Sequence, residues 1–309
     1  MALKSLQLSP GCRVGVMAYN CHTVMNAVRQ AGYEIVFIDV TKELTIDEND
    51  LRRKSDSLSA IIITHLFGVI NDVQKIRSEY PDLIVIEDCA HAFGVEECGK
   101  SGNFSAYSIG QGKFPSVGEG GFLRVNDKSY LPAIIEQYEE LPEYGLLRNI
   151  GLFCSMVFKS VLYIPWVYST FTFPLLKKNR TLKVEETPIP LRKMSSGVFN
   201  LFEDGFPETE QIIGIQKQNA FRLSEWLSND RNVIDCHVGN NAFMLVVDCI
   251  NPDILQKKLM NLGVESAIHF GQCVEWIASF GGNTDDLPNT VYLSQHVLMI
   301  PTYKKFALE

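Results

Sequence analysis

LIVIEDCAHAFG, residues 83–94, opens as a short β-branched run and closes on two carboxylates, small residues and a histidine. Four apolar residues in succession suit a strand covered on both faces in a parallel sheet. Upstream, residues 13–17 (RVGVM), 34–39 (EIVFID) and 60–64 (AIIIT) share that character. Helix-compatible stretches lie between them at 23–31, 47–53 and 71–79. This βαβ rhythm predicts an α/β fold with a mostly parallel, doubly wound sheet, whose ligand site lies beyond the strands' C-terminal ends. Two more strands are expected at 104–109 and 122–125, the second after a glycine-rich turn.

Beyond about residue 134 the pattern turns helical. Residues 146–176, LLRNIGLFCSMVFKSVLYIPWVYSTFTFPLL, are unusually apolar, but Lys159 and Pro165 interrupt them. A clean apolar run of about 20 residues is missing, so a spanning helix is not expected. Core or subunit-interface helices are the plainer expectation, and a peripheral membrane contact the sharper one. Residues 177–192 read as a loop, 207–226 as a long helix, 242–247 as a strand and 252–262 as a helix. The expected organisation is a large domain over 1–215, with an apolar helical insertion at about 146–176, and a small α+β domain over 216–309.

The whole chain has 309 residues, 46% hydrophobic and 21% charged, which excludes a disordered or collagen-like chain. A net charge of −8 offers no basic footprint for nucleic acid. The eight cysteines form no CxxC pair, so reduced thiols in a cytoplasmic protein are expected, and no metal site. The first residues lack the apolar core of a signal peptide.

Chemistry gathers in two stretches. Asp88 falls at the end of a strand, where a carboxylate holds a cationic ligand nitrogen or caps a following helix. His91, taken alone, reads as a packed, hydrogen-bonded histidine rather than a catalytic one. In GNFSAYSIGQGKFPSVGEGGFLRV, residues 102–125, one lysine stands between two strands. Lys113 is a solvated surface residue or, if desolvated, a nucleophilic amine for Schiff-base chemistry. Ser108 is a phosphate donor or a turn hydroxyl. An Asp at one strand end and a Lys after the next strand is the pairing that pyridoxal 5'-phosphate chemistry requires.

These stretches resemble the DegT/DnrJ/EryC1/StrS aminotransferases, enzymes of fold type I that act mostly on nucleotide-linked keto sugars. IEDCAHAFG matches the family's IEDxAxAxG, and SIGQGKFPSVGEGG keeps the register of its lysine segment. HLFG at residues 65–68, GNFSAYS at 102–108 and LPNTVYLSQHVLMIPTY at 287–303 match in the same order. The resemblance implies pyridoxal 5'-phosphate as cofactor, with Lys113 its covalent and catalytic lysine. Asp88 becomes the pyridinium partner, Ser108 a phosphate ligand and His91 a contact to the cofactor ring. The family's stacking aromatic falls at Cys21, with Tyr19 a nearby substitute. MALKSLQLSPG resembles the sequence just after the family's Ser-Gly-Thr phosphate grip, so an N-terminally truncated large domain is expected.

The implied function is transamination of a keto sugar, with glutamate as donor, by a homodimer making cell-surface polysaccharide or secondary metabolites. The alternative is a truncated or degenerate homologue without turnover, serving as a binding or assembly subunit.

Overall fold

The computed structural model describes residues 1–143, 145–162, 164, 167, 170, 171 and 190–302. A six-stranded sheet forms from β1 (Arg13–Met17), β2 (Glu34–Ile38), β3 (Ala60–Thr64), β4 (Ile84–Asp88), β5 (Phe104–Ser108) and β6 (Gly121–Val125). Its order is β2-β1-β3-β4-β5-β6, parallel throughout except for the antiparallel β5–β6 pair. Near the start of the chain lies α1 (Ala2–Ser5), and helices α2 (His22–Gln30), α3 (Glu48–Lys54) and α4 (Val73–Glu79) make the crossovers. The direction of winding reverses between β1 and β3, which opens a crevice at their C-terminal ends.

Alternation along the strands explains the layering. Val14, Val16, Ala60, Ile62 and Ile86 pack on one face with Val28 of α2, Leu3 of α1 and Ile134 of α5 (Leu131–Glu139). Met17, Ile61, Ile63 and Val85 face the other way. β3 is buried at all five positions, as a central strand covered on both faces should be.

β4 runs one residue further than its sequence suggests. Asp88 is a paired strand residue, in register with Thr64 and Ala106, and turns rather than a helix come after it. The helix-cap reading of Asp88 therefore falls.

A second, antiparallel sheet comprises β7 (Val233–Val238), β8 (Met244–Cys249) and β9 (Val297–Pro301). Between the two sheets in sequence come α6 (Leu146–Leu162), α7 (Ser196–Gly205) and α8 (Thr209–Leu227). Leu245, Val247, Leu298 and Ile300 pack beneath α8 and α9 (Pro252–Asn261). The alternate residues Val246, Val297 and Met299 join Ile61, Ile63 and Val85 in one cluster, so the two sheets share a core. α10 (Cys273–Ser279) and α11 (Pro288–His296) complete this half, and α8 passes residue 215 without a break.

The expected insertion is helical over its first 17 residues, which form α6. Most of its remainder, and the expected loop up to residue 189, lie outside the described residues. Among the described residues, no helix is long and apolar enough to cross a membrane.

Candidate active site

The C-terminal ends of β3, β4 and β5 converge on one amine. Lys113 sits in the loop joining β5 to β6, which is closed by hydrogen bonds from Val117 N to Ile109 O (2.9 Å) and from Ile109 N to Gly120 O (3.1 Å). Gly118 and Gly120 adopt φ of +96° and +102°, and a Cβ on Gly121 would collide with the Tyr107 carbonyl. The GEGG run is therefore explained by backbone geometry.

Lys113 Nζ lies 2.7 Å from His91 Nε2. The other ring nitrogen of His91, Nδ1, accepts the Phe67 N–H at 3.2 Å. An imidazole that accepts at Nδ1 carries its proton on Nε2. His91 therefore donates to Nζ, and the acceptor there is the lone pair of an uncharged amine. Burial points the same way: it lowers the pKa of Lys113, against a smaller opposing pull from Asp88 and Cys21. Burial also holds His91 well below the ordinary histidine range, with neighbouring Lys113 and His269 acting in the same direction.

Aromatic rings enclose His91. Phe67 stacks on it at 5.0 Å and 21°, Phe270 lies near-parallel at 6.1 Å and 16°, and Phe243 is tilted at 5.4 Å. Phe67 holds a left-handed φ of +51°, an unusual conformation for a bulky residue, and it brings both ring and N–H to His91. Asn241 adds a clamp from beyond β7: its Nδ2 donates to the carbonyls of His91 (3.0 Å) and Phe93 (3.1 Å).

Asp88 is held on both oxygens. Ala90 N donates to Oδ1 and Thr64 Oγ1 to Oδ2, each at 3.1 Å. Thr64 has one hydroxyl proton, so the 2.7 Å contact from Asn20 Nδ2 sets a one-way relay from Asn20 through Thr64 to the carboxylate.

Ser108 closes β5 and accepts from Gly110 N at 3.3 Å. Cys21, half-buried at the start of α2, is close enough to Lys113 to act on it electrostatically. Tyr19 is fully buried, edge-on to Phe270 at 5.4 Å, with no hydrogen-bond partner for its hydroxyl. Asn20, Thr64, Phe67, Asn241, Phe243, His269 and Phe270 are additions from the structure. Only Phe67 carried a sequence signal, in HLFG. Among the described residues, His65, Cys89 and Cys98 also bring ligand atoms within 4.8 Å of one another. His65 takes the Asn71 N–H at Nδ1 (3.2 Å), which leaves Nε2 to donate to Glu87 (3.0 Å) and no ring lone pair for a metal.

Known proteins resemble this chain in sequence and in fold. The chain is 33% identical to GDP-perosamine synthase of Escherichia coli O157:H7 over 137 residues, 42% of this chain and 38% of that protein. It is 28% identical to the uncharacterized protein MJ1066 of Methanocaldococcus jannaschii over 325 aligned positions, 99% of this chain and 78% of the relative. The aminotransferase from Psychrobacter cryohalolentis superimposes with a TM-score of 0.73 at 18% identity, covering 98% of this chain and 80% of that one. The sugar aminotransferase CalS13 from Micromonospora echinospora gives 0.71 at 17%, covering 99% and 79%. At such identities the likeness is one of fold, and that fold is the α/β architecture of fold type I. Residues 1–152, just under half of the chain, match the DegT/DnrJ/EryC1/StrS aminotransferase family.

Proposed function

We propose that the chain is an aminotransferase that converts a nucleotide-linked keto sugar to an amino sugar, with glutamate as amino donor. The observation that carries this reading is the uncharged amine of Lys113, held by His91 Nε2–H at 2.7 Å beside the Asp88 carboxylate. Members of this family use pyridoxal 5'-phosphate. The donor set fits that group: an amine free to attack an aldehyde, a fixed carboxylate for a ring nitrogen, and a hydroxyl at a neighbouring strand end. When bound, the cofactor supplies an aldehyde for covalent attachment and a ring that accepts an electron pair.

The chain's own residues supply the rest. Lys113 Nζ is the nucleophile and, once released, the base that carries a proton at the reacting carbon. His91 aims the Nζ lone pair and keeps it unprotonated. Asp88, steadied by Thr64 and Ala90, would hold a proton on the ring nitrogen, with Ser108 toward the phosphate and Cys21 and Tyr19 on the ring side. Phe67, Phe243 and Phe270 exclude water around His91. The reading includes a cytoplasmic homodimer and a role in cell-surface polysaccharide or secondary-metabolite synthesis.

The test is to mix the purified chain with pyridoxal 5'-phosphate, reduce with borohydride and map the modified peptide by mass. Modification of Lys113, lost in Lys113→Ala, supports an enzyme. Amino transfer from glutamate to nucleotide-linked keto sugars then tests the substrate class. No reducible adduct at Lys113 would sink the proposal and favour a binding or assembly subunit.

A further inference from the structure

We propose that His65 is a positioning residue for the Lys113 amine and acts on it by fixing the tautomer of His91; this rests on the reading of Lys113 as the reacting group. His65 follows β3 directly and is fully buried. Its Nδ1 accepts the Asn71 N–H at 3.2 Å, which closes residues 65–71 into a loop, while Nε2 donates to Glu87 Oε2 at 3.0 Å. The Asn71 side chain is tied down as well, donating to Thr64 O (3.0 Å) and accepting Ile46 N (2.7 Å). Phe67 sits inside that loop with its left-handed φ of +51°, and its N–H is the one that His91 Nδ1 accepts. A bulky residue keeps such a φ only where its surroundings hold it. The loop closed by His65 is that hold.

Glu87 places the proton of His65. Its buried carboxylate accepts Gly99 N (2.9 Å), Ser101 N (2.8 Å) and Gly102 N as well as His65 Nε2–H, so it is fixed as an acceptor. Burial lowers the pKa of His65; hydrogen bonds with Cys89 and Glu87 raise it, to about 9 on balance. A second ring proton would sit on Nδ1, where the Asn71 N–H already points, and that geometry keeps the ring neutral. His65 and His91 thus share one arrangement. Each takes a backbone N–H at Nδ1 and donates from Nε2, His65 to Glu87 and His91 to Lys113. Without the 65–71 closure, Phe67 is free to leave its strained conformation and withdraw its N–H from His91. The His91 proton can then move to Nδ1, and the bare Nε2 accepts from a charged Lys113. The amine loses its free lone pair.

The experiment uses the full chain free of cofactor, which separates its outcome from adduct formation with pyridoxal 5'-phosphate. Ring nitrogen-15 shifts assign the tautomers of His65 and His91, and trace acetylation by acetic anhydride, mapped by mass, gives the pH midpoint of the Lys113 amine. The wild-type chain should carry the proton on Nε2 of both rings, and a proton on Nδ1 of either one overturns the proposal. His65→Asn keeps an acceptor near Nδ1 and drops the Glu87 contact; His65→Gln keeps a donor near Nε2 and drops the Asn71 contact. Both should lower the melting temperature. Only His65→Gln should move the His91 proton toward Nδ1 and raise the Lys113 midpoint by roughly one unit. If His65→Gln leaves both readouts unchanged, or His65→Asn moves them equally, His65 serves the fold alone and the proposal falls. These shifts in a chain that forms no cofactor adduct at Lys113 would sink the proposed function and uphold the coupling.

Discussion

An ordinary lysine at pH 7 is unprotonated in only about one molecule in a few thousand. Lys113 escapes that limit through burial and through the lone-pair hydrogen bond from His91. His91→Phe keeps the aromatic packing but removes the donor, so the pH midpoint for forming the Lys113 adduct should rise by roughly one unit. Adduct absorbance against pH measures this, and an unchanged midpoint would mean that His91 does not set the state of the amine. His269 gives a second pH effect, on stability. Burial, with a smaller contribution from neighbouring Lys113, lowers its pKa from 6.5 to about 4, so between those values the unfolded chain binds the extra proton. Stability should therefore fall as pH drops from 6.5 toward 4, by at most about 3 kcal/mol from this group. Urea melts of the cofactor-free chain should show His269→Asn flattening that slope. Lys113, Asp88 and His91 were legible because each stands in a short local motif. Asn241, Phe243, His269 and Phe270 were not, since they reach His91 from 150 residues away or more and no local pattern marks them.

At the level of elements, β1 to β6 and β8 could be read to within two residues because β-branched runs bounded by turn residues have few other structures open to them, whereas β7 and β9 were not read. The conformation just past a strand was less legible. An Asp before small residues suits a helix cap or a turn equally, and only the pairing of Asp88 with Thr64 and Ala106 decided it. Adjacent Glu87 illustrates the period of two: it is buried, and its carboxylate accepts the backbone N–H groups of Gly99, Ser101 and Gly102. Asp39, just past β2, shows a contact that no local reading supplies. It accepts Asn289 N (3.0 Å), Thr290 N (2.9 Å) and Thr290 Oγ1 (2.7 Å), and so caps α11 from 250 residues away. Asp39→Ala should cost about 3 kcal/mol, because buried donors lose their acceptor, and Asp39→Asn less. Denaturant titration checks both.

For the whole molecule, the shared cluster of Ile61, Ile63, Val85, Val246, Val297 and Met299 makes each sheet part of the other's core. The chain should then unfold in one transition, with far-ultraviolet dichroism and tryptophan fluorescence coincident. Two separated transitions would instead support independent domains meeting near residue 215. Doubly wound architecture was legible from rhythm alone, whereas this fusion was not, because strand alternation says which residues are buried and not against what. The rings around His91 carry the same coupling to a spectrometer. His91 stands just past β4 of the large sheet, yet Phe243 and Phe270, on two of its sides, belong to the C-terminal half, and Phe270 lies within 16° of parallel. Their ring currents displace the carbon-bound imidazole protons from the positions of a free histidine. One pair of proton resonances thus reports, in solution and without a label, whether the two halves are seated together, and does so at the ring that touches the amine.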